Sequence, residues 1–389
     1  MPSAVDQEIR ELIQKHGRIT FAKFMQTCLY SPRGGFYSSR ANSISSHFRT
    51  SPTSHPVFGA LIARQLEQMW HLLGNPSMFH LVEVGSGDGA LARSIADASQ
   101  RMAPGFAEAL HYVAVDYAPW WPPSPTQSTG LDNGTEGRTR PSGQEMSRGI
   151  QRVKAEGLQP FRDIVGCILS NELIDNFPVH RFVIRSDQVK EVFVALDGNS
   201  FTEVLDEPST PRIKERLANL GVSLPEGLRG EVNLAMEEWT SQLAETLGHG
   251  FVLTIDYGQP AQNLYSTQNV QGTVVCFQRH AISTDPYHHL GQQDITTQVD
   301  FTSLTRLGKQ HGLATVGYTV QRHFLENLGF SEFVDALQKE GLSYARMELR
   351  RIAMMTLVDT DGMGNIKVLA QAKGMGPGVD LLGFKGQET

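Results

Sequence analysis

The sequence predicts an α/β protein with a doubly wound, mostly parallel sheet, and two observations lead to this prediction. The apolar run 81–84 enters three alternate glycines, Gly85, Gly87 and Gly89, and residues 90–96 then follow helical spacing. This is the pattern of a strand, a tight turn and a helix. Further apolar runs at 111–116, 165–170 and 251–256 each end at a polar or acidic residue. Strands of this kind bring ligand-binding groups to the carboxyl edge of an open α/β sheet.

Length and composition limit the classes of protein to consider. A chain of 389 residues has room for one large core with an inserted subdomain, or for two domains. The net charge is −7 and the lysines and arginines are scattered, so no nucleic-acid partner is predicted. Cys28, Cys167 and Cys276 lack the spacing of a zinc or redox pair, so no metal site is predicted. No apolar run has the length of a membrane span and the N-terminus lacks a signal pattern, so we expect a cytoplasmic protein.

Residues 1–75 are predicted as an N-terminal helical region. Val5, Ile9 and Ile13 recur on one helical face, and Gly17 follows as a C-terminal cap. Apolar residues recur at helical spacing in 21–29 and again in 57–73. The second of these segments follows Pro56, which suits a first helical turn.

The rest of the chain is predicted to contain a core with two insertions. Residues 76–180 and 245–373 carry the strand and helix patterns of a Rossmann-like core. Within this core, residues 119–149 are predicted as a low-complexity insertion, since they are rich in Pro, Ser, Thr and Gly and hold little apolar surface. Residues 181–244 show strand alternation and then a helix, and are predicted as an inserted β-rich and helical subdomain. The glycine-rich residues 374–389 are predicted as a flexible tail.

The ligand of the glycine turn is indicated by an acid in the preceding strand. Glu83 lies two residues before Gly85, where its carboxylate would repel a pyrophosphate but would suit the cationic amino group of a methionine moiety. An acid followed by alternate glycines is typical of S-adenosylmethionine-dependent methyltransferases. The spacing Gly85-x-Gly87-x-x-Ala90 also fits a dinucleotide-binding loop loosely, and a purely structural turn is a further alternative.

A second acid, Asp116, ends the next predicted strand. An acid at that edge can hold a ribose diol by two hydrogen bonds. The alternative is an aspartate that only caps a turn.

Five motifs occur in an order that resembles one family. They are Thr-Ser-Pro at 50–52 followed by Phe-Gly at 58–59, the acid and glycine loop at 82–89, Asn-Glu-Leu-Ile-Asp-Asn-Phe-Pro-Val-His at 171–180, Ile-Asp-Tyr-Gly at 255–258, and Asp-Ile-Thr-x-x-Val-Asp-Phe at 294–301. From about residue 9 to residue 373 the chain resembles the MidA-like family of methyltransferases. The resemblance implies a Rossmann-like class I methyltransferase fold, S-adenosyl-L-methionine as cofactor and a protein arginine as methyl acceptor.

Two departures from the family pattern keep other acceptors open. Thr53 stands where the family usually has an acid, and His55 replaces a small polar residue. A small-molecule acceptor and a non-catalytic, cofactor-binding assembly factor therefore remain as alternatives. A homodimer is a further option for the assembly.

Methyl transfer to arginine requires groups that orient the guanidinium and take its proton. Carboxylates can grip a guanidinium by paired hydrogen bonds and localise its charge away from the reacting nitrogen. Glu172 and Asp175 stand three residues apart after the central strand, and we predict them as the catalytic acceptor clamp, with Asp256 in support. His180 and His280 are weaker candidates for a base.

Nine residues are predicted to bind the cofactor. They are Thr50, Ser51, Glu83, Gly85, Ser86, Gly87, Gly89, Asp116 and Asn171. Structural roles compete with several of these predictions. Thr50 and Ser51 could cap the helix near Pro56, Glu172 could be a helix-start carboxylate, and Asp256 could be a turn residue.

Overall fold

A seven-stranded sheet forms the centre of the computed structural model, which describes residues 3–38, 50–116, 150–155 and 157–386. The strands are β1 (Ile19–Thr20), β2 (Phe79–Val84), β3 (Leu110–Asp116), β4 (Ile150–Lys154), β5 (Ile164–Asn171), β6 (His180–Arg185), β7 (Gln188–Asp197), β8 (Ser200–Asp206), β9 (Arg229–Val232), β10 (Leu247–Asp256), β11 (Gly258–Gln259), β12 (Val275–Gln278), β13 (Ala281–Ser283), β14 (Asp294–Thr296), β15 (Val299–Asp300), β16 (Ala314–Val320) and β17 (Lys367–Lys373).

Helices cover the sheets and connect their strands. They are α1 (Ala4–His16), α2 (Phe21–Tyr30), α3 (Ser51–Ser54), α4 (Val57–Leu72), α5 (Ala90–Ser99), α6 (Pro104–Ala109), α7 (Pro211–Ala218), α8 (Ala235–Thr246), α9 (Ala261–Leu264), α10 (Phe301–Gln310), α11 (Gln321–Asn327), α12 (Phe330–Leu337) and α13 (Tyr344–Met355). Gly17 ends α1 with φ +79°, and its N–H donates to Ile13 O at 2.7 Å, as the sequence predicts.

The strand order of the central sheet confirms the doubly wound α/β prediction. The order is β16-β17-β10-β5-β2-β3-β4, and only β17 runs antiparallel to its neighbours. The chain builds outward from β2 through β3 to β4, and then returns to the other side of β2 to form β5 and β10. The order therefore reverses between β2 and β5, and ligands of open α/β sheets bind at such a point.

Both faces of the central sheet are buried. Alternate residues of β2 lie in different apolar clusters: Phe79 and Leu81 pack beneath α4 and α5, whereas Val82 and Val84 pack on the side of α8 and α10. Period-2 alternation of this kind places successive side chains on opposite faces. A sheet buried on both faces is a rigid support for groups at its carboxyl edge.

A second, five-stranded sheet joins the N-terminal region to the predicted insertion. Its order is β1-β7-β6-β9, with β8 paired to β7. Helices α1 and α2 pack on it through a third apolar cluster that contains Ile9, Phe24 and Val194. The N-terminal region is therefore not purely helical, because β1 pairs with β7.

At two predicted domain boundaries, near residues 244 and 374, the structure packs the chain differently from the prediction. Helix α8 begins within the predicted insertion 181–244 and extends past its end, and its Met236 and Leu243 pack in the core cluster beside Val82. Within the predicted flexible tail, residues 382–384 form a short 3-10 helix, and Leu381 and Phe384 are buried because they complete the apolar layer beside α4 and α11. This part of the tail is therefore packed, and the other domain boundaries stay predictions.

The predicted insertion 119–149 lies outside the described residues. Among the helices that the structure describes, none combines the length and the apolar character needed to cross a membrane.

The close approach of strands β5 and β2 at Gly166 can be tested by substitution. Gly166 of β5 has φ +144°, and a Cβ at that position would lie 2.1 Å from His80 O on the neighbouring strand. We expect Gly166→Ala to lower the free energy of unfolding by about 3 kcal/mol or more, because strain and overlap with backbone add. Urea denaturation measures this loss.

A matched control is available in the turn between β7 and β8. Gly198 has φ +58° and open space around its Cβ position. Gly198→Ala is expected to cost only about 1–2 kcal/mol of backbone strain. Equal losses in the two variants would contradict the close strand approach at Gly166.

Candidate functional site

A cavity of about 660 Å³ opens at the carboxyl edge of the central sheet. Its wall is built from the glycine loop at 84–88, the segment 171–178 after β5, helix α8, and the segments 273–277 and 294–298. Six residues of the N-terminal region complete it, namely Gln26, Tyr30, Tyr37, Thr50, Pro52 and Thr53. The cavity therefore lies at the reversal of strand order and is closed by parts of the chain that are distant in sequence.

The glycine loop is a left-handed turn fixed by backbone hydrogen bonds. Gly85, Gly87 and Gly89 have φ values of +78°, +52° and +74°, which residues with a Cβ rarely adopt. The N–H of Gly85 donates to Val115 O at 2.9 Å, and the N–H of Gly87 donates to Asp116 Oδ2 at 2.8 Å. The predicted turn is thus present, and it places Asp116 beside the loop at the cavity wall.

Glu83 contributes a buried carboxyl group to the cavity. Its side chain is 3% exposed, and the hydroxyl of Tyr112 donates to Oε2 at 2.7 Å. Burial raises the pKa of Glu83 to about 8, although the hydrogen bond from Tyr112 lowers it. A cationic group placed beside this carboxyl would favour its charged form.

Two polar atoms beside the glycine loop have no hydrogen-bond partner among the described residues. They are Ser86 Oγ and Asn171 Oδ1, and both are buried. A buried polar atom without a partner costs about 1–3 kcal/mol. Their presence beside the glycine loop indicates that a polar ligand completes them.

A strained turn delivers Glu172 to the cavity. Glu172 has φ +51°, which is uncommon for a residue with a side chain. Its N–H donates to Ile255 O at 2.8 Å, and its Oε1 accepts from Ser51 N at 3.2 Å and from Asn171 Nδ2 at 3.1 Å. The surrounding hydrogen bonds therefore hold the conformation and the direction of the carboxylate.

Asp256 lies beneath this turn rather than in the cavity wall. Its Oδ2 accepts from the N–H groups of Leu173 and Ile174 at 3.1 and 2.8 Å, and its Oδ1 accepts from Tyr257 N at 2.9 Å. Its side chain is fully buried. Backbone donors occupy both oxygens of Asp256, so in this structure it holds the turn that carries Glu172 and Asp175, and its supporting role in the acceptor clamp stays a prediction.

Asp175 points into the same cavity from a short 3-10 helix, Ile174–Asn176. Its side chain is 5% exposed, and Oδ1 has no partner among the described residues. Burial raises the pKa of Asp175 well above its ordinary value, and the nearby carboxyls of Asp256, Asp294 and Glu172 raise it further. A structure that places acids so close together favours protonation or a bound cation.

Sequence reasoning missed a hydrogen-bonded network that joins the N-terminal region, the turn after β5 and strand β14. The Tyr37 hydroxyl lies 3.0 Å from both Asn176 Oδ1 and Asp294 Oδ2. Asn176 Nδ2 donates to Asp294 Oδ1 at 3.0 Å. Asn176 and Asp294 lie in two of the motifs on which the family resemblance rests. Their place in those motifs was the one sequence feature that could have marked them as site residues. Tyr37 had none, because its partners lie 139 and 257 residues away.

The charge of the cavity wall has one sign. Among the described lining residues no lysine, arginine or histidine occurs. Seven carboxyl side chains do occur there, namely Glu83, Asp88, Asp116, Glu172, Asp175, Glu238 and Asp294. A concave surface with this charge concentrates cations.

Two further predicted residues lie outside the wall. Ser51 is fully buried, and its hydroxyl donates to Gln321 Oε1 at 3.0 Å. Gly89 does not line the cavity but ends the left-handed turn before α5. Thr50 does line the cavity and also forms a capping box with Thr53 at the start of α3. Local capping and turn formation thus account for part of what these residues do, and their contacts with a cofactor stay predictions.

The two candidate base histidines lie away from the cavity. His180 Nδ1 lies 2.7 Å from Glu191 Oε1 in the second sheet. His280 is exposed in the turn between β12 and β13, with φ +65°. Neither lines the cavity.

Comparison with known proteins identifies related methyltransferases. Residues 61–319 match a family model of S-adenosyl-L-methionine-dependent methyltransferases. The Drosophila melanogaster protein named "Protein arginine methyltransferase NDUFAF7 homolog, mitochondrial" is 27% identical over 390 residues, which cover 95% of this chain and 85% of that protein. The Rattus norvegicus protein named "Protein arginine methyltransferase NDUFAF7, mitochondrial" is 27% identical over 335 residues, covering 82% and 72% of the two chains.

A solved structure matches the whole fold. A Burkholderia thailandensis protein crystallised with S-adenosyl-homocysteine superposes with a TM-score of 0.80 at 25% identity, covering 98% of this chain and 95% of that one. Because the match covers nearly the full length of both chains, it is not limited to the central sheet.

The buried carboxyls generate a pH prediction for the protein without ligand. Burial raises the pKa of Glu83 to about 8 and that of Glu172 and Asp294 to about 7, whereas unfolded carboxyls titrate near pH ~4. The folded state thus binds more protons than the unfolded state between these values. This contribution to stability is complete below pH ~4 and is lost as the pH rises toward 8. We expect the free energy of unfolding by urea to fall between pH 6.5 and 8.

The pH interval of 6.5 to 8 is chosen so that the titration of histidines does not obscure that of the carboxyls. Burial lowers the pKa of His55 and His80, so their contribution has the opposite sign and ends near the unfolded pKa of about 6.5. Asp294→Asn should reduce the decline, whereas the exposed Asp335→Asn should leave it as in the wild type. Stability that is constant or rises from pH 6.5 to 8 would contradict the assignment.

Proposed function

We propose that a protein arginine is the methyl acceptor of this chain, which belongs to the family of S-adenosyl-L-methionine-dependent methyltransferases. The observation that carries the proposal is the cavity wall, with seven carboxyls and no cationic side chain among its described residues. A guanidinium is a permanent cation, and a wall of this charge favours it over neutral acceptors. The names of the relatives, which are protein arginine methyltransferases, support the same acceptor.

The residues beside the glycine loop fit the cofactor. The left-handed glycines leave bare backbone at the wall, and Ser86 Oγ and Asn171 Oδ1 find no hydrogen-bond partner in the part of the chain that the structure describes. We assign Glu83 to the ammonium group and Asp116 to the ribose hydroxyls, because each is a carboxyl at the strand edge. When bound, S-adenosyl-L-methionine supplies an electrophilic methyl group on a sulfonium.

The residues of this chain must orient the acceptor and accept a proton. Glu172 and Asp175 project into the cavity from one turn, and Asp256 holds that turn through three backbone N–H groups. Paired carboxylates can fix a planar guanidinium and draw its charge away from one nitrogen. That nitrogen then has a lone pair available as its proton moves to a carboxylate.

The cellular compartment of the protein and its possible assembly as a homodimer both stay predictions. The relatives are named as mitochondrial proteins, and a cytoplasmic location of this chain remains our expectation from the sequence. Microscopy of the full chain with a C-terminal fluorescent fusion would decide between the two compartments.

Cofactor binding is tested by a side chain in the glycine loop. Gly87→Val places a branched side chain at φ +52° against the bound cofactor, and we expect at least about 100-fold weaker binding of S-adenosyl-homocysteine by calorimetry. Gly198→Val introduces the same side chain at φ +58° in a surface turn and should bind as the wild type does. Equal affinity in wild type and Gly87→Val would refute the loop as the cofactor site.

The acceptor is tested by transfer of an isotopically labelled methyl group. The protein is incubated with labelled S-adenosyl-L-methionine and a lysate of the source organism, and labelled proteins are hydrolysed to amino acids. We expect label in methylarginine, and we expect loss of more than about 90% of it with Glu172→Gln, because one clamp charge is removed. Label in the small-molecule fraction would indicate a metabolite acceptor. Absence of label in a protein that binds S-adenosyl-homocysteine would indicate a non-catalytic assembly factor.

A further inference from the structure

Asp175 is the least satisfied acid in the cavity wall. Its carboxyl is 5% exposed, and Oδ1 lacks a partner among the described residues. Its own main-chain oxygen accepts from Thr297 N at 2.9 Å, which ties the turn of Asp175 to the segment that carries Asp294. An unpartnered carboxylate oxygen in a polar cavity is a site for a hydrogen-bond donor or a cation.

Asp294 differs from Asp175 in that both of its carboxylate oxygens have described partners, although Oδ2 has only one among the described residues and keeps an acceptor position for a cation in the cavity. Oδ1 accepts from Asn176 Nδ2 at 3.0 Å and from its own neighbour Ile295 N at 2.9 Å, and Oδ2 lies 3.0 Å from the Tyr37 hydroxyl. These donors fix the plane of the carboxyl group. Asp294 is 1% exposed, so its direction is set by the network rather than by solvent.

The network contains one hydroxyl proton for two acceptors. The Tyr37 hydroxyl faces both Asn176 Oδ1 and Asp294 Oδ2, and it can donate to only one of them at a time. If Asp294 is protonated, it donates to the Tyr37 oxygen while Tyr37 donates to Asn176. If Asp294 is charged, Tyr37 donates to Asp294. The network therefore accommodates both charge states of Asp294 by turning one hydroxyl.

We propose that the acceptor cation is held between Asp175 and Asp294, that Asp175 takes the proton released on methyl transfer, and that Tyr37 and Asn176 position Asp294. This inference rests on the proposed function and assigns three residues that the clamp of Glu172 and Asp175 does not include. The acceptor nitrogen forms the new N–C bond with its lone pair, the electrons of the broken S–C bond stay on sulfur, and the N–H proton passes to Asp175. Charge is balanced, because one carboxylate is neutralised as the sulfonium becomes a thioether.

A binding experiment tests the cation site without turnover. The full chain, saturated with S-adenosyl-homocysteine, is titrated with a capped arginine tripeptide and with its neutral citrulline counterpart, followed by NMR of the peptide. We expect the wild type to prefer arginine by at least about tenfold, as a charge-assisted hydrogen bond implies. Asp175→Asn and Asp294→Asn should each remove most of this preference, while affinity for S-adenosyl-homocysteine stays within about twofold and reports an intact fold.

A charge-matched control separates a specific site from the general charge of the protein. Glu245→Gln removes the same charge from an exposed position of α8 outside the cavity wall, where the Ser241 hydroxyl donates to Glu245 at 3.0 Å. It should change the arginine preference by less than about threefold. Preference retained in both aspartate variants, or absent from the wild type, overturns the proposal. A lysine peptide bound as tightly as the arginine peptide would contradict the arginine acceptor but would leave the cation site standing.

The positioning role of Tyr37 is tested by the pH dependence of the same binding. The titratable groups that face Asp294 are Tyr37 from the N-terminal segment, Asp175 and Glu172 from the turn, and Cys276 from β12. Arginine affinity should rise with pH through about 7, where Asp294 loses its proton.

Tyr37→Phe should move this midpoint to higher pH, because the Tyr37 hydrogen bond lowers the pKa of Asp294. Tyr30→Phe is the matched control, since the Tyr30 ring stacks on Tyr37 at 5.6 Å but its hydroxyl donates to the main-chain oxygen of Asn176. Its midpoint should equal that of the wild type. An unchanged midpoint in Tyr37→Phe would overturn the positioning role.

Discussion

Buried carboxyl groups with no cationic side chain beside them among the described wall residues are the constraint on which this cavity depends. Removing a carboxylate from water is costly unless it is hydrogen-bonded, protonated or paired with a cation. The protein meets part of this cost with its own donors: three backbone N–H groups at Asp256, Tyr112 at Glu83, and Tyr37 with Asn176 at Asp294. Asp175 keeps an oxygen without any described partner. A cationic ligand would offset the remaining desolvation cost of these carboxyls. The carboxyl edge of the sheet therefore favours cations over neutral or anionic ligands.

The architecture explains how so many acids come to one place. The central sheet delivers Glu83, Asp116 and the turn after β5 to the same edge, because parallel strands end together. Helix α2 with the following Tyr37, and strands β12 and β14, contribute further residues to the cavity wall. Each wall is anchored in an apolar cluster, so the carboxyls cannot separate to relieve their repulsion. Burial is the main reason that the pKa values of Glu83, Glu172 and Asp294 are raised, and neighbouring carboxyls add to it at Glu83 and Glu172.

The parts of the site that depend on local sequence could be predicted, and the parts that depend on tertiary packing could not. The glycine turn, Glu83 and Asp116 follow from strand and turn patterns within a few residues, and the structure places them together. Asp256 looked equivalent to Glu172 in sequence, since both are acids at strand ends. Only the structure shows that backbone N–H groups occupy its oxygens. Tyr37 meets Asp294 across 257 residues, and no spacing rule connects positions so far apart.

The central claim is that the acid-lined cavity binds a cationic acceptor next to the cofactor. A crystal structure of the full chain with S-adenosyl-homocysteine and an arginine peptide tests it most directly. We predict the guanidinium within hydrogen-bonding distance of Asp175 Oδ1, with the adenosyl compound over Gly85 and Gly87. A guanidinium bound outside the cavity, or an anionic molecule in contact with Asp175, would contradict the account.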